Sequence, residues 1–212
     1  HENIFGLKKL YELCEFSAKV FHPLKVGRVI ARPFLGDNSG TFFRTKNRKD
    51  YTFPPPNKTL CDLVVENNRS CHAIGKIADI FSNRGISTSV SGLSDDALFY
   101  KMIDVIKKAK NGDLIFANFV EFDSLYGHRR DVAGFAAALE RFDLKLVKLL
   151  EIINPNDFLI ITADHGNDPT FKGTDHTREK VPVLMVGNYA QKGNNGNIVF
   201  SDVGTTMAAF LN

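Results

Sequence analysis

From Leu114 to Val120 the chain reads Leu-Ile-Phe-Ala-Asn-Phe-Val, a run broken by a single polar residue. A strand with one wet face alternates apolar and polar side chains, whereas a nearly continuous apolar run is buried on both faces. That is the state of a parallel strand sandwiched between helices, so this stretch constrains the fold more than any other. Phe158–Thr162 and Val181–Val186 repeat the signal. Between these runs lie helical segments. Ser94-Asp-Asp supplies capping chemistry for an amphipathic helix reaching Lys110, a longer helix spans about 131–153 until Asn154-Pro155 stops it, and Ser201-Asp202 caps a last one reaching Phe210. Short strands alternating with helices of crossover length predict an α/β sheet covered on both faces over residues 58–212.

Residues 1–57 differ in character. Ile4, Leu7, Leu10, Leu13 and Cys14 recur at threes and fours, as on one face of a helix. A β-branched run, Val26–Phe34, is closed by Pro33 and Gly36. The stretch from Asn38 through the basic residues Arg44, Lys46, Arg48 and Lys49 reads as loop, either solvated or an anion-binding patch. Pro54-Pro55-Pro56 can continue neither a helix nor a central strand, and sets a boundary there.

The net charge of +3 is too small to argue for a nucleic-acid or membrane partner. No apolar run approaches the ~18 residues of a membrane span. Cys14, Cys61 and Cys71 are odd in number and lack CxxC spacing, which fits a reducing, cytoplasmic setting rather than a disulfide framework or zinc knuckle. The chain begins with His rather than Met and opens like the middle of a protein, so a fragment or processed chain is expected.

The polar residues that stand out follow the apolar runs, where open α/β sheets gather ligands. Glu121-Phe-Asp123-Ser-Leu-Tyr-Gly-His128-Arg-Arg-Asp131 follows the first and Thr162-Ala-Asp164-His165-Gly-Asn-Asp168 the second, while Gly173-Thr-Asp175-His176-Thr-Arg-Glu179 precedes the third. Mixed imidazole and carboxylate suit zinc, manganese or iron, and suit a metal pair clamping a transferring phosphoryl group. Gly166 supplies the backbone freedom for adjacent Asp164 and His165 to serve as two ligands. Asp131 reads as a helix cap, Asp168 and Asp175 as loop residues, His72 as structural and the 18 Phe as core. Glu121 is ambiguous, and Arg129 and Arg130 are either solvated or substrate-facing.

The segments Thr162-Ala-Asp-His-Gly-Asn167, Val120-Glu-Phe-Asp-Ser124 and Asp175-His-Thr-Arg-Glu179 resemble the alkaline phosphatase superfamily. Phe122–Asp131, with Asp164–Pro169 and Gly173–Glu179, is more specific and resembles the phosphopentomutase family. Gly27–Phe34 and Phe43–Tyr51 extend the likeness. It covers nearly the whole chain but about the second half of the family's usual length.

This resemblance implies an alkaline-phosphatase-like core sheet flanked by helices at 58–212, preceded at 1–57 by the end of a small α+β cap domain. It implies that Asp123, His128 and His176 hold one Mn²⁺ and that Asp164 and His165 hold a second. Arg32, Arg44 and Lys76 would meet a sugar phosphate, with a sugar bisphosphate as activator. A further Asp ligand and the nucleophilic Thr of the family find no match here. Thr162 and Thr170 are poor substitutes, so one metal or none, and little activity, is expected of this chain alone. Mn²⁺ and Zn²⁺ both suit the ligands. The rival readings are another superfamily member, a phosphoglycerate mutase or a phosphatase, and an inactive metal-binding fragment or stand-alone binding domain.

Overall fold

A computed structural model describes residues 1–211. A π turn, Glu2–Gly6, leads into α1 (Leu7–Phe21), which buries Cys14 and Ala18 and packs on β1 (Arg28–Ala31). β2 (Phe34–Leu35) pairs antiparallel with β3 (Phe43–Arg44), and β1 with β4 (Lys49–Thr52). The basic stretch read as loop is therefore partly strand, with Arg44 in β3 and Lys49 in β4. Arg48 and Lys49 find partners nearby while β1 supplies the ladder. Arg48 holds the Asp50 carboxylate at 2.8 and 2.9 Å, and the Lys49 ammonium lies 5.3 and 4.9 Å from the ring centroids of Tyr11 and Tyr51. The Tyr11 and Tyr51 hydroxyls donate to the carbonyls of Asn47 and Tyr11, tying the hairpin to α1.

After the prolines the chain runs α2 (Leu60–Glu66), β5 (Cys71–Ile74), the short α3 (Ile77–Ile80), β6 (Thr88–Val90), α4 (Asp95–Ile106) and β7 (Leu114–Ala117). A capping box opens α2: the Thr59 hydroxyl accepts from the Asp62 N–H, and the Asp62 carboxylate accepts from the Thr59 N–H at 2.7 Å. Ser94 caps α4, its hydroxyl accepting from Ala97 N–H. The three strands form a parallel sheet in the order β6-β5-β7, with Ala73 opposite both Ser89 and Phe116.

Both faces of this sheet are covered. On one, Ile74, Leu98, Phe99, Met102 and Leu149 form a buried cluster that joins α4 to α5 (Val132–Leu150). On the other, Cys61, Val64, Cys71 and Leu114 pack beneath α2 and α6 (Phe200–Leu211). Cys71, Ala73 and Ile74 of the central strand are fully excluded from solvent, as the apolar pattern requires.

The remaining strands, β8 (Leu159–Thr162) and β9 (Val183–Val186), pair antiparallel with each other, Leu159 opposite Val186, and form a separate two-stranded sheet. Their apolar composition led to the expectation of full burial, yet Leu184 is 54% exposed and Val186 39%. Composition reports how much burial a strand can use, not which neighbour provides it. β7 is also shorter than the apolar run, ending at Ala117. Beyond it the backbone turns away, and the Asp95 carboxylate accepts from the N–H groups of Val120 (3.0 Å) and Glu121 (2.8 Å).

Candidate metal centre

The exit of β7 is fixed from α4. Burial lifts the Asp95 carboxyl above the ordinary carboxylate range, although Glu121 and Val120 N–H donate to it. The chain then enters a π turn, Phe122–Gly127, held by Phe122 packing edge-on to Phe135 and Phe142. His128 N–H closes the turn on the Asp123 carbonyl at 2.9 Å, five residues back. An α-helix, at about 100° per residue, would set residues five apart well off a common face. The wider turn instead brings His128 Nε2 to 3.3 Å from Asp123 Oδ2.

The loop after β8 carries Asp164 and His165 and meets the 174–179 segment through a bridge: Thr177 N–H donates to the Gly166 carbonyl at 3.1 Å. A Cβ at Gly166 would fall on the Glu179 carboxylate, so a side chain there would displace that carboxylate from its place beside the bridge. The bridge sets His176 against His165, ring centroids 3.7 Å apart and planes 18° from parallel. His176 Nε2 lies 3.2 Å from both Asp123 Oδ1 and His128 Nε2.

One carboxylate and two imidazoles thus converge: ligand atoms of Asp123, His165 and His176 all lie within 4.8 Å of one another. The tautomers follow from the partners. His128 Nδ1 meets the Thr174 carbonyl at 2.5 Å and His165 Nδ1 the Gly166 carbonyl at 3.2 Å. A carbonyl only accepts, so each Nδ1 carries a proton, which leaves Nε2 as the atom that a neutral imidazole offers to a metal. Lone pairs and a carboxylate aimed at one point suit a divalent cation, and the donor set fits zinc or manganese.

The resemblance divides these residues between two metals, and the structure gathers three of them into one group. His165, assigned there with Asp164, converges with Asp123 and His176, while Asp164 is exposed and 3.6 Å from His165 Nε2. His128 stands at the edge of the cluster, next to both Asp123 and His176. Arg32, Arg44 and Lys76 are exposed, on the turn after β1, on β3 and before α3, and no hydrogen bond joins them to the cluster. Glu121 lines a cavity of about 260 Å³ with Asp95, Asp96, Arg141 and Lys145. Asp131 caps α5 as expected, accepting from Gly134 N–H. Asn167 was missed altogether: it is buried and donates to Asp123 at 2.6 Å, a contact that no local pattern announces.

A helix-covered parallel sheet whose β7 leads to Asp123 and His128, with His165 and His176 brought in from the loops beside β8 and β9, defines a metal-binding α/β domain. The chain belongs to the metalloenzyme superfamily, whose family model matches residues 66–212. The fold is similar to that of the PH0037 protein of Pyrococcus horikoshii, with a TM-score of 0.59 at 14% identity over 95% of this chain and 63% of that one. In sequence it is similar to the phosphopentomutase of Allorhizobium ampelinum, 49% identical over all 212 residues, and to that of Chelativorans sp., 50% identical. It spans about half the length of these relatives, 52% of each.

Proposed function

We propose that this chain is the metal-holding part of a phosphopentomutase, an isomerase that interconverts (deoxy)ribose 1-phosphate and (deoxy)ribose 5-phosphate. The observation that carries the reading is the convergence of Asp123, His165 and His176 in a chain alignable along its whole length with phosphopentomutases. Asp123, His128 and His176 are assigned to one Mn²⁺, Asp164 and His165 to a second. Bound divalent ions supply neutralisation of the phosphoryl oxygens and acidify a coordinated hydroxyl. The chain's own residues orient the site: Thr174 and Gly166 carbonyls hold the imidazole tautomers, and Asp123 supplies the negative charge.

Arg32, Arg44 and Lys76 are assigned to the sugar phosphate, for which an exposed guanidinium is suited to bidentate contact. Residues 1–57, built on antiparallel pairs around α1, are read as the end of a cap domain, and 58–212 as part of the core. A sugar bisphosphate serves as activator. The three buried free thiols support a reducing compartment, the cytoplasm.

The nucleophilic Thr and one more Asp ligand are assigned to the segment that the longer relatives possess. Two observations support this. The Thr162 hydroxyl is engaged with the Pro182 carbonyl at 2.9 Å and that of Thr170 with the Asp168 carboxylate at 2.7 Å. Apolar side chains such as Leu144 and Val147 on α5 and Leu184 on β9 are exposed, as surfaces awaiting a partner segment would be. The test is a mutase assay with Mn²⁺ and a sugar bisphosphate, on this chain alone and mixed with the amino-terminal half of a relative. Activity only in the mixture supports the reading. Activity of the chain alone overturns the assignment of the nucleophile, and phosphatase or phosphoglycerate mutase activity in the mixture overturns the substrate.

A further inference from the structure

We infer that Arg130 and Asn167 are positioning residues that bind the three ligand-bearing segments into one metal centre, an inference that rests on the metal reading above. Arg130 stands just after the π turn with φ of 55°, a left-handed conformation uncommon for a side chain of its size. From there its guanidinium reaches every segment of the site. Nη1 donates to the Gly127 carbonyl (3.1 Å), to Asn167 Oδ1 (2.7 Å) and to the Asp168 carbonyl (2.9 Å). Nε donates to the Gly173 carbonyl and Nη2 to the Asp175 carbonyl, each at 2.5 Å.

The 123–128 turn, the 164–168 loop and the 173–176 segment are thereby held by a single planar group. A guanidinium has five N–H donors and no lone pair, so Arg130 cannot be a ligand. With these contacts made, little of it is left for a substrate.

Asn167 passes this fixation to a ligand. It is 9% exposed, and because Oδ1 receives the guanidinium, Nδ2 must face Asp123, donating to Oδ1 at 2.6 Å. That bond sets the rotation of the carboxylate, whose Oδ2 then faces His128. Gly127 makes the approach possible, since a Cβ there would collide with the Asn167 amide. Hydrogen bonds of this kind to a ligating carboxylate are worth ~10–100-fold in metal affinity.

The test is calorimetric titration of MnCl₂ into the whole 212-residue chain, with folding followed by circular dichroism. The wild type binds and Asp123→Ala does not. Asn167→Ala and Arg130→Lys, with melting temperatures near that of the wild type, each weaken binding by ~10-fold or more. Arg129→Ala, which alters an exposed neighbour, leaves the affinity unchanged. Should Asn167→Ala fail to fold, Arg130→Lys decides, because it keeps the charge and most of the stem. Affinity within about threefold of wild type in the folded variants overturns the inference while leaving the metal centre standing. Absence of binding by the wild type overturns the inference for this chain by removing the one-metal site on which it rests, and the two failures are thus distinct.

Discussion

His165 and His176, which come from different segments, stack with their ring centroids 3.7 Å apart, and Asp123 completes their group. Neutral imidazoles brought together beside one carboxylate gain little from each other. A cation at their shared focus turns the crowding into coordination.

Bound metal should therefore stabilise the fold. A ligand at 100 times its dissociation constant adds about 2.7 kcal/mol to a folded state that alone binds it. For a domain of this size that corresponds to a rise in melting temperature of roughly 5–10 °C. Differential scanning calorimetry with and without MnCl₂ measures it. His176→Ala, which removes a converging ligand, should abolish the shift.

Gly75 and Gly173 have similar positive φ values, 78° and 80°, but different surroundings. A Cβ at Gly75 would meet the Asn118 backbone carbonyl at 2.5 Å, whereas one at Gly173 would meet nothing within 4 Å. Gly173→Ala should cost only the conformational penalty, about 1–2 kcal/mol. Gly75→Ala should cost about 1–3 kcal/mol more, because backbone next to the sheet has to move. Urea denaturation of the two variants gives the difference, and equal losses would contradict it.

The capping box of α2 predicts a pH dependence. Burial would raise the Asp62 carboxyl, but the Thr59 N–H and hydroxyl and the Arg84 guanidinium, 3.0 Å away, outweigh it and hold the group below its ordinary range. A carboxylate depressed in the folded state contributes stability that is fully present above the unfolded pKa of about 3.9. That contribution is lost as pH falls below this value through the lower folded one. Asp62→Asn should therefore be less stable by about 1–3 kcal/mol at pH 7. The gap should narrow below pH 4 in denaturant titrations, and a gap that stayed constant would show that the charge is not responsible.

Phe99 is 1% exposed and lies between the sheet and α5, edge-on to Phe142 at 6.3 Å. Phe99→Ala should cost about 3–5 kcal/mol from lost burial and the cavity left behind. Phe99→Leu, which keeps most of the volume, should cost less than half of that. Thermal melts of the pair check the ordering.

Sequence periodicity alone located α4, α5 and the strands β7, β8 and β9, because burial on one or both faces leaves its spacing in the chain. Two helix starts were legible too, since the Ser94 and Asp131 caps act over three residues, a distance that local pattern can report. Ser201, expected to cap the last helix, instead lies inside α6, and α4 stops at Ile106, short of the expected Lys110. The residue types of the Asp123, His165 and His176 cluster were visible as well, because imidazole recurs next to carboxylate in three segments that border apolar runs.

Tertiary structure decided what depends on contacts between distant segments. It paired Lys49–Thr52 with β1 where a loop was expected, and it left β8 and β9 as a separate pair. It gathered His165 with Asp123 and His176, and left Asp164 exposed. It drew Arg130, solvated or substrate-facing as far as sequence could tell, into the centre of three loops, and set Asn167 against Asp123. Side-chain chemistry fixes what a residue can bind. Which groups come within 3 Å of one another is set by loops whose course is determined by packing elsewhere, and no spacing along the chain encodes it.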